Sequence, residues 1–463
     1  MRKPTRFRKG ASSQPEALAW LDARMNYERT PAPNHSRVTF GLGRMRRLLA
    51  ALGDPHRSCP SAHVAGTKGK GSTVTMLAAV LQESGHRVGR YLSPHVYDVE
   101  ERIAINGRPI SRRQLTAVVE RLMPVVDQLD REAARHGGRG PTWFEVMTAS
   151  AFTHFADQGV DIAVLETGLG GRLDATNVCC PIVTVITSIS YDHMKLLGST
   201  LRSITTEKAG IIKRGCPIVS GATQPVARSV IRETAVRRRA PLLELGRDFT
   251  VQTVVTPTRQ QDLKGVSFDL VRHGSGDATR YTLRLAGSHQ AENAGLAVIA
   301  LEELRSRGIH ITDEAITRGL ATATLPARIE TISHRPLVVI DAAHNVASMS
   351  ALAVALRPML DVHTPKVLVF AASNDKQIEK MLKTSCGLFD HAILTRYVEN
   401  PRSAPIDRLV AACRAAGLAN PAVASDPPEA LRKARSLAGH HGIVVVAGSF
   451  FLAAEIGRLT RSC

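Results

Sequence analysis

Residues 66 to 73 read Gly-Thr-Lys-Gly-Lys-Gly-Ser-Thr, glycines interleaved with lysines and hydroxyls. Glycine lets backbone N–H groups come close to phosphate oxygens, and a helix starting there adds its positive end. The apolar run Ala62–Ala65 before the glycines reads as a strand, and Thr73–Ser84 (TVTMLAAVLQES) after them reads as a helix. In that setting Lys70 can reach the β- and γ-phosphates of a nucleotide, while Ser72 or Thr73 can serve a phosphate or its magnesium. The widespread GxxxxGK[ST] pattern is not met, because Val64 stands where its first glycine belongs and Gly71 separates Lys70 from Ser72. A tight strand–helix connection would explain the glycines alone equally well. The lysine and hydroxyls tip the reading to a nucleotide site.

Glu166 ends another apolar run, Ile162–Leu165, which puts a carboxylate at the ligand-binding edge of a parallel sheet, with Gly168, Gly170 and Gly171 close behind. Asp192 and His193 follow the run Val183–Ile189 in the same way, although a histidine after a strand is by itself more often a surface or core residue. Ser93-Pro94 is by composition only a turn signal. Lys208, in Glu207-Lys208-Ala209-Gly210, is by type a solvated helix lysine.

The elements that must hold these residues follow from pattern and length. A chain of 463 residues suggests two or three domains, and 44% hydrophobic with 22% charged residues excludes wholesale disorder. A net charge of +19 favours anionic partners without choosing among them. The seven cysteines form no CxxC pair, so a reduced cytoplasm is expected rather than a disulfide framework. No signal-type apolar segment follows the basic leader MRKPTRFRKG, and the weakly polar stretch Gly442–Ala454 is short of the ~20 residues of a membrane helix. Helices are expected on either side of a Thr30–Arg37 loop, followed by apolar runs (Ala62–Ala65, Val88–Leu92, Ile162–Leu165, Val183–Ile189, Pro217–Ser220) alternating with amphipathic helices. That alternation signals βαβ units. Between Phe249 and Leu285 it gives way to period-two alternation, an antiparallel addition, and Asn293–Arg307 reads as a helix. A second αβ series (Leu337–Ile340, Val367–Phe370, Ala392–Leu394, Ile443–Val446) begins near Leu325-Pro326. The expected fold is therefore α/β: a P-loop ATPase domain with a mostly parallel sheet over 1–324, and a Rossmann-like α/β domain over 325–463. The arginine patches Arg2–Lys9 and Arg237–Arg239 read as solvated faces, since only 4% of residues are aromatic and none sits among Arg237–Arg239 to stack on bases.

GTKGKGS is similar to the variant P-loop of the ATP-dependent Mur-type amide ligases. The blocks GLGRMRRLLAALG (41–53), HVAGTKGKGST (63–73), LSPHVYDVEERIAING (92–107), LETGLGGRLDATNV (165–178), ITSISYDHMKLLGSTL (186–201), EKAGIIKRG (207–215), LPARIE (325–330) and DAAHNVASM (341–349) narrow the resemblance to the folylpolyglutamate synthase and dihydrofolate synthase family. Lys68 stands where that family usually has Asn, Ala327 where it has Gly, DAAHNV where it has a DGAHNP-like motif, and Gln377 where Asp is frequent.

The resemblance implies an ATP-dependent ligase that adds L-glutamate to dihydropteroate, to reduced folates or to both through an acyl phosphate. It assigns Gly66, Thr67, Gly69, Lys70, Gly71, Ser72, Thr73, Asn293, Arg328, Asp341 and His344 to ATP, and Ser93, Glu166 and His193 to Mg²⁺. It gives Lys70, His193 and Lys208 to catalysis, Lys208 as a carbamate, and Phe40, Gly41, Phe144, Leu173, Asp174 and Ala175 to the folate. Two acceptor lengths would need two binding modes or a mobile loop, and Ser93–Arg102 is the candidate for such a loop. A cytoplasmic monomer without nucleic-acid or membrane partners is expected. A cell-wall Mur ligase shares the P-loop but not SPH…ERI, LGGRLDATN or EKAGIIK. A basic nucleic-acid-binding NTPase would account for the charge, yet no nucleic-acid module is recognisable.

Overall fold

The computed structural model describes residues 13–28, 41–254, 265–274, 276–418 and 420–461. The Thr30–Arg37 loop, the Arg2–Lys9 patch and Phe40 lie outside these residues. Eight strands form the first sheet: β1 (Ser61–Ala65), β2 (Val88–Tyr91), β3 (Ile103–Ile105), β4 (Arg108–Pro109), β5 (Ile162–Glu166), β6 (Pro181–Ile186), β7 (Ile218–Ser220) and β8 (Leu242–Glu244). Their order is β4-β3-β2-β5-β1-β6-β7-β8, parallel from β2 to β8, with β3 and β4 antiparallel at one edge.

β1 and β5 are buried along their whole length, as a parallel sheet covered on both faces requires. Ala62, Val64, Ile162 and Val164 pack beneath Lys70–Glu83 and Ser288–Ser306 on one face. Tyr91, Ala163 and Leu165 pack with Arg112–Arg135 and Trp143–Asp157 on the other. Both of these last helices open with a capping box, Ser111 with Gln114 and Thr142 with Glu145.

β9 (Phe249–Val254), β10 (Ser267–Arg272) and β11 (Ala278–Thr282) form the antiparallel addition anticipated from period-two alternation. It packs on helix Ser288–Ser306, where a Cβ on Gly295 would stand 2.3 Å from a Val251 methyl. The second sheet comprises β12 (Glu330–His334), β13 (Leu337–Ile340), β14 (Lys366–Phe370), β15 (His391–Leu394), β16 (Ala422–Val423) and β17 (Ile443–Ala447). Its order is β12-β13-β17-β14-β15-β16, with only β12 antiparallel.

Three details differ from the sequence reading. The helix after the glycine turn begins at Lys70, because Gly69 in the left-handed region caps it, and not at Thr73. The helix expected from Asn293 begins at Ser288; its polar first turn (Ser288, His289, Gln290) masks the helical period. Ser93–Arg102 is anchored instead of loose. Val96 and Tyr97 are buried in the core of the second sheet. Arg102 is wholly buried, ion-paired to Glu28 at 2.5 Å and stacked 4.7 Å over the Trp143 ring.

Candidate active site

β1 ends at Ala65 and the chain turns through Gly66 to Gly69 into helix Lys70–Glu83. Two of these positions require glycine. Gly66 has φ 153°, and a Cβ there would fall 1.8 Å from Thr187 Oγ1, the hydroxyl that donates to the Lys68 carbonyl at 2.6 Å. Gly69 has φ 81°, and a Cβ there would fall 2.1 Å from Asn293 Oδ1. The turn is therefore wedged between the end of β6 and helix Ser288–Ser306. Asn293 itself donates to Gln290 Oε1 at 3.1 Å.

Lys70, the first residue of the helix, lies 3.7 Å from Glu166 Oε1 at the end of β5. Glu166 is buried, and its Oε2 accepts the Ser93 N–H at 3.1 Å. Burial pushes its carboxyl above the usual range, against the pull of Lys70. The hydroxyls of Ser93, Thr73 and Thr167 are buried without a hydrogen-bond partner among the described residues. Ser72 is buried near the same helix start, while Thr67 donates to the Ser190 carbonyl at 3.2 Å. Lys208, at the end of helix Leu201–Ala209, is also buried and donates to the Gly66 carbonyl at 2.7 Å. Burial, reinforced by nearby Lys70, lowers its amine to about 7. This is not the solvated lysine that its local sequence suggests.

His193 is held differently from its expected co-ligands. Its side chain is 51% exposed, its φ is 50°, and among the described residues its ion pair is with Asp192 at 3.9 Å. Burial pushes Asp192 up, but His193, Lys376, His344 and Lys68 outweigh it and hold the carboxyl at about 2. No group of three or more His, Cys, Asp and Glu suited to a metal occurs among the described residues. The structure thus brings Ser93 and Glu166 together and leaves His193 on the neighbouring loop.

The opposite wall comes from the start of the second sheet. Arg328 sits between Ala327 (φ 51°) and Ile329 (φ 49°), 5.4 Å over the Phe450 ring. Asp341, at the end of β13, accepts the Ile329 N–H at 2.9 Å and the Ala343 N–H at 2.8 Å. Burial raises the Asp341 carboxyl, with Arg328 the main opposing charge. Arg328 also lowers Glu166 on the first wall, so the two walls share one electrostatic field. The His344 Nδ1–H donates to the Ala342 carbonyl at 2.8 Å, and burial lowers the ring to about 3, leaving a neutral imidazole facing Phe450. Lys68 crosses between the walls: its ammonium donates to Asn345 Oδ1, at the start of helix Val346–Leu360, and burial lowers it to about 8.

The residues expected at the folate are more dispersed in role. Gly41 begins helix Leu42–Ala51 in extended conformation. Phe144 packs on the Gly168 backbone, where a Cβ would come 2.5 Å from its ring, and leans on Tyr91 at 6.1 Å. Leu173 is half-buried and Ala175 is core. The Asp174 carboxylate accepts from the Leu169 and Thr176 N–H groups and caps Ala175–Val178, a local structural role. Sequence reasoning did not single out Thr187, Asn345, Tyr97 or the Arg102–Glu28 pair. Thr187 offered no signal, since by sequence it lies inside the apolar run Val183–Ile189.

A P-loop at one sheet edge, faced by an arginine and an aspartate from a second α/β sheet, defines a Mur-type ligase. Accordingly, the model of the Mur ligase middle domain matches residues 129–301, and that of the Mur ligase glutamate ligase domain matches 327–450. The chain belongs to the dihydrofolate synthase/folylpolyglutamate synthase family. It is 38% identical over 444 residues to the Bacillus subtilis dihydrofolate synthase/folylpolyglutamate synthase, covering 95% of this chain and 97% of that one. The Mycobacterium tuberculosis folylpolyglutamate synthase complexed with ADP and AMPPCP superposes with a TM-score of 0.84 at 33% identity, covering 97% of this chain and 98% of that one. E. coli FolC in complex with DHPP and ADP gives 0.80 at 29% identity, with 98% of each chain covered.

Proposed function

We propose that this chain uses ATP to join L-glutamate to the carboxylate of dihydropteroate and of reduced folates, with residues 1–324 and 325–463 as its two domains. The observation that carries the reading is the pairing of Lys70 and Glu166 on one wall with Arg328 and Asp341 on the other. ATP phosphates would lie on the Gly66–Thr73 turn, where backbone N–H groups, Lys70 and the helix start meet negative charge. Asn293, Arg328, Asp341 and His344 would hold the rest of the nucleotide, as the family resemblance implies.

An acceptor carboxylate oxygen attacks the γ-phosphorus and ADP departs, leaving an acyl phosphate. The glutamate amine then attacks the acyl carbon, phosphate leaves, the amine gives up a proton and an amide remains. Lys70 and Arg328 supply positive charge where the transferring phosphoryl group needs it. Closing the two walls excludes water, which would otherwise hydrolyse the acyl phosphate.

Mg²⁺ suits the oxygen-rich corner formed by the buried Glu166 carboxylate and the Ser93 hydroxyl, which has no hydrogen-bond partner among the described residues, while His193 would have to join from the neighbouring loop. Bound there, it would offset phosphate charge. Lys208 fits the carbamate reading: a buried amine titrating near 7 is largely neutral at slightly alkaline pH, and only a neutral amine adds CO₂, forming an N–C bond and releasing a proton.

Both walls come from one chain, which supports a monomer, and no helix among the described residues is long and apolar enough to cross a membrane. The cytoplasm is the compartment this reading places it in. The deciding assay is glutamate-dependent ADP release with dihydropteroate and, separately, with a reduced monoglutamyl folate, with product mass confirming addition. Glutamylation of both is expected. ADP release without glutamate incorporation on either would overturn the reading.

A further inference from the structure

Ser93–Arg102 leaves the first sheet after β2, yet Val96 and Tyr97 lie in the core of the second sheet with Ala327, Ile340, Val446 and Ile456. Tyr97 is 4% exposed and occupies room left by Gly457, where a Cβ would stand 2.4 Å from its ring. Its hydroxyl donates to Glu330 Oε2 at 2.9 Å. The same oxygen accepts the Ala327 N–H at 2.7 Å.

Ala327 and Ile329 both hold positive φ, a conformation unfavourable for a side-chain-bearing residue that persists only where neighbours enforce it. Here two carboxylates do so: Glu330 grips the N–H of Ala327, and Asp341 grips the N–H of Ile329. The residue suspended between the two grips is Arg328. At its other end the segment carries Ser93, whose N–H holds Glu166.

We propose that Tyr97 is a positioning residue for Arg328: through Glu330 it sets the turn that aims the guanidinium at the nucleotide. One segment of the first domain thereby orients Glu166 with its first residue and Arg328 with its fifth. The inference rests on the reading that Arg328 contacts ATP. Without the hydroxyl, Glu330 loses one of the bonds that orient it, and the strained turn can relax with the arginine on it.

The test is calorimetric titration of the full chain with AMPPCP in magnesium buffer, beside steady-state kinetics. Tyr97→Phe is expected to weaken AMPPCP binding and raise KM for ATP by about 5- to 10-fold, the net effect of one ordinary hydrogen bond lost. KM for glutamate and the unfolding midpoint should stay near wild type. In an Arg328→Ala background the same substitution should change affinity less than about 2-fold, because the residue through which it acts is gone. Glu330→Ala, which removes the acceptor for both bonds, should show the same dependence on Arg328. Equal weakening with and without Arg328, or unchanged affinity in Tyr97→Phe while Arg328→Ala weakens binding, would overturn the relay alone. Wild-type affinity in Arg328→Ala would overturn the role of Arg328 and the relay with it.

Discussion

On the wall built by the first sheet, Lys70 is the first residue of a helix and Glu166 the last of a strand, so hydrogen-bonded secondary structure fixes both. On the opposite wall Arg328 rides a short turn with positive φ on either side, held by the side chains of Glu330 and Asp341. The first arrangement is rigid because its backbone has one regular solution. The second depends on a few carboxylates, and losing any one of them loosens it. Damage to the first wall should therefore abolish chemistry, and damage to the second should mainly weaken nucleotide binding.

The largest effect is expected from Lys70→Ala, which removes the cation at the start of helix Lys70–Glu83 and should reduce kcat by about 10³-fold while the circular dichroism spectrum stays unchanged. Near-wild-type turnover at saturating ATP would remove Lys70 from the mechanism. Lys208→Ala should lose about 10²-fold, and the proposed carbamate requires partial recovery on adding a short carboxylic acid. The same residue gives a pH test. Its amine is lowered to about 7, so it is protonated and unreactive below that pH. Activity should fall as pH drops through 7, and bicarbonate added to CO₂-depleted enzyme should raise activity above pH 7 but not below. The stability contribution has the matching sign: the folded chain binds the proton less tightly than the unfolded one, so stability should rise between about pH 7 and 10.5.

Asp341→Asn tests the second wall. It removes a charge-assisted grip on Ile329 and Ala343 and should raise KM for ATP by about 10-fold, with a smaller change in kcat. The smallest effect is expected from Lys68→Asn, which replaces the ammonium crossing to Asn345 with the residue usual in the family. A change under about 3-fold in kcat/KM for ATP would show that this crossing is dispensable; a larger one would make Lys68 part of the second wall's support.

The first wall was legible from the sequence because it obeys local rules: a run, a glycine turn, a helical period, and a carboxylate ending a parallel strand. Glu166 and Lys70 needed nothing else. The second wall was legible only through resemblance, because nothing local distinguishes Arg328 from a surface arginine. Tyr97 was illegible on both counts. Its partners Glu330 and Gly457 are hundreds of residues away, and its own neighbours read as a loop able to move. Lys208 misled in the same sense, since its burial depends on packing against the Gly66 turn.

The docking of Val96 and Tyr97 also bears on how the protein can be divided. A recombinant piece ending at residue 324 would carry these two side chains without the core that covers them, and the remaining piece would carry an empty slot above Gly457. Each piece alone should be prone to self-association through that exposed apolar surface. Produced together, they have a ready-made contact through which to recombine, so co-expression should rescue solubility where separate expression fails.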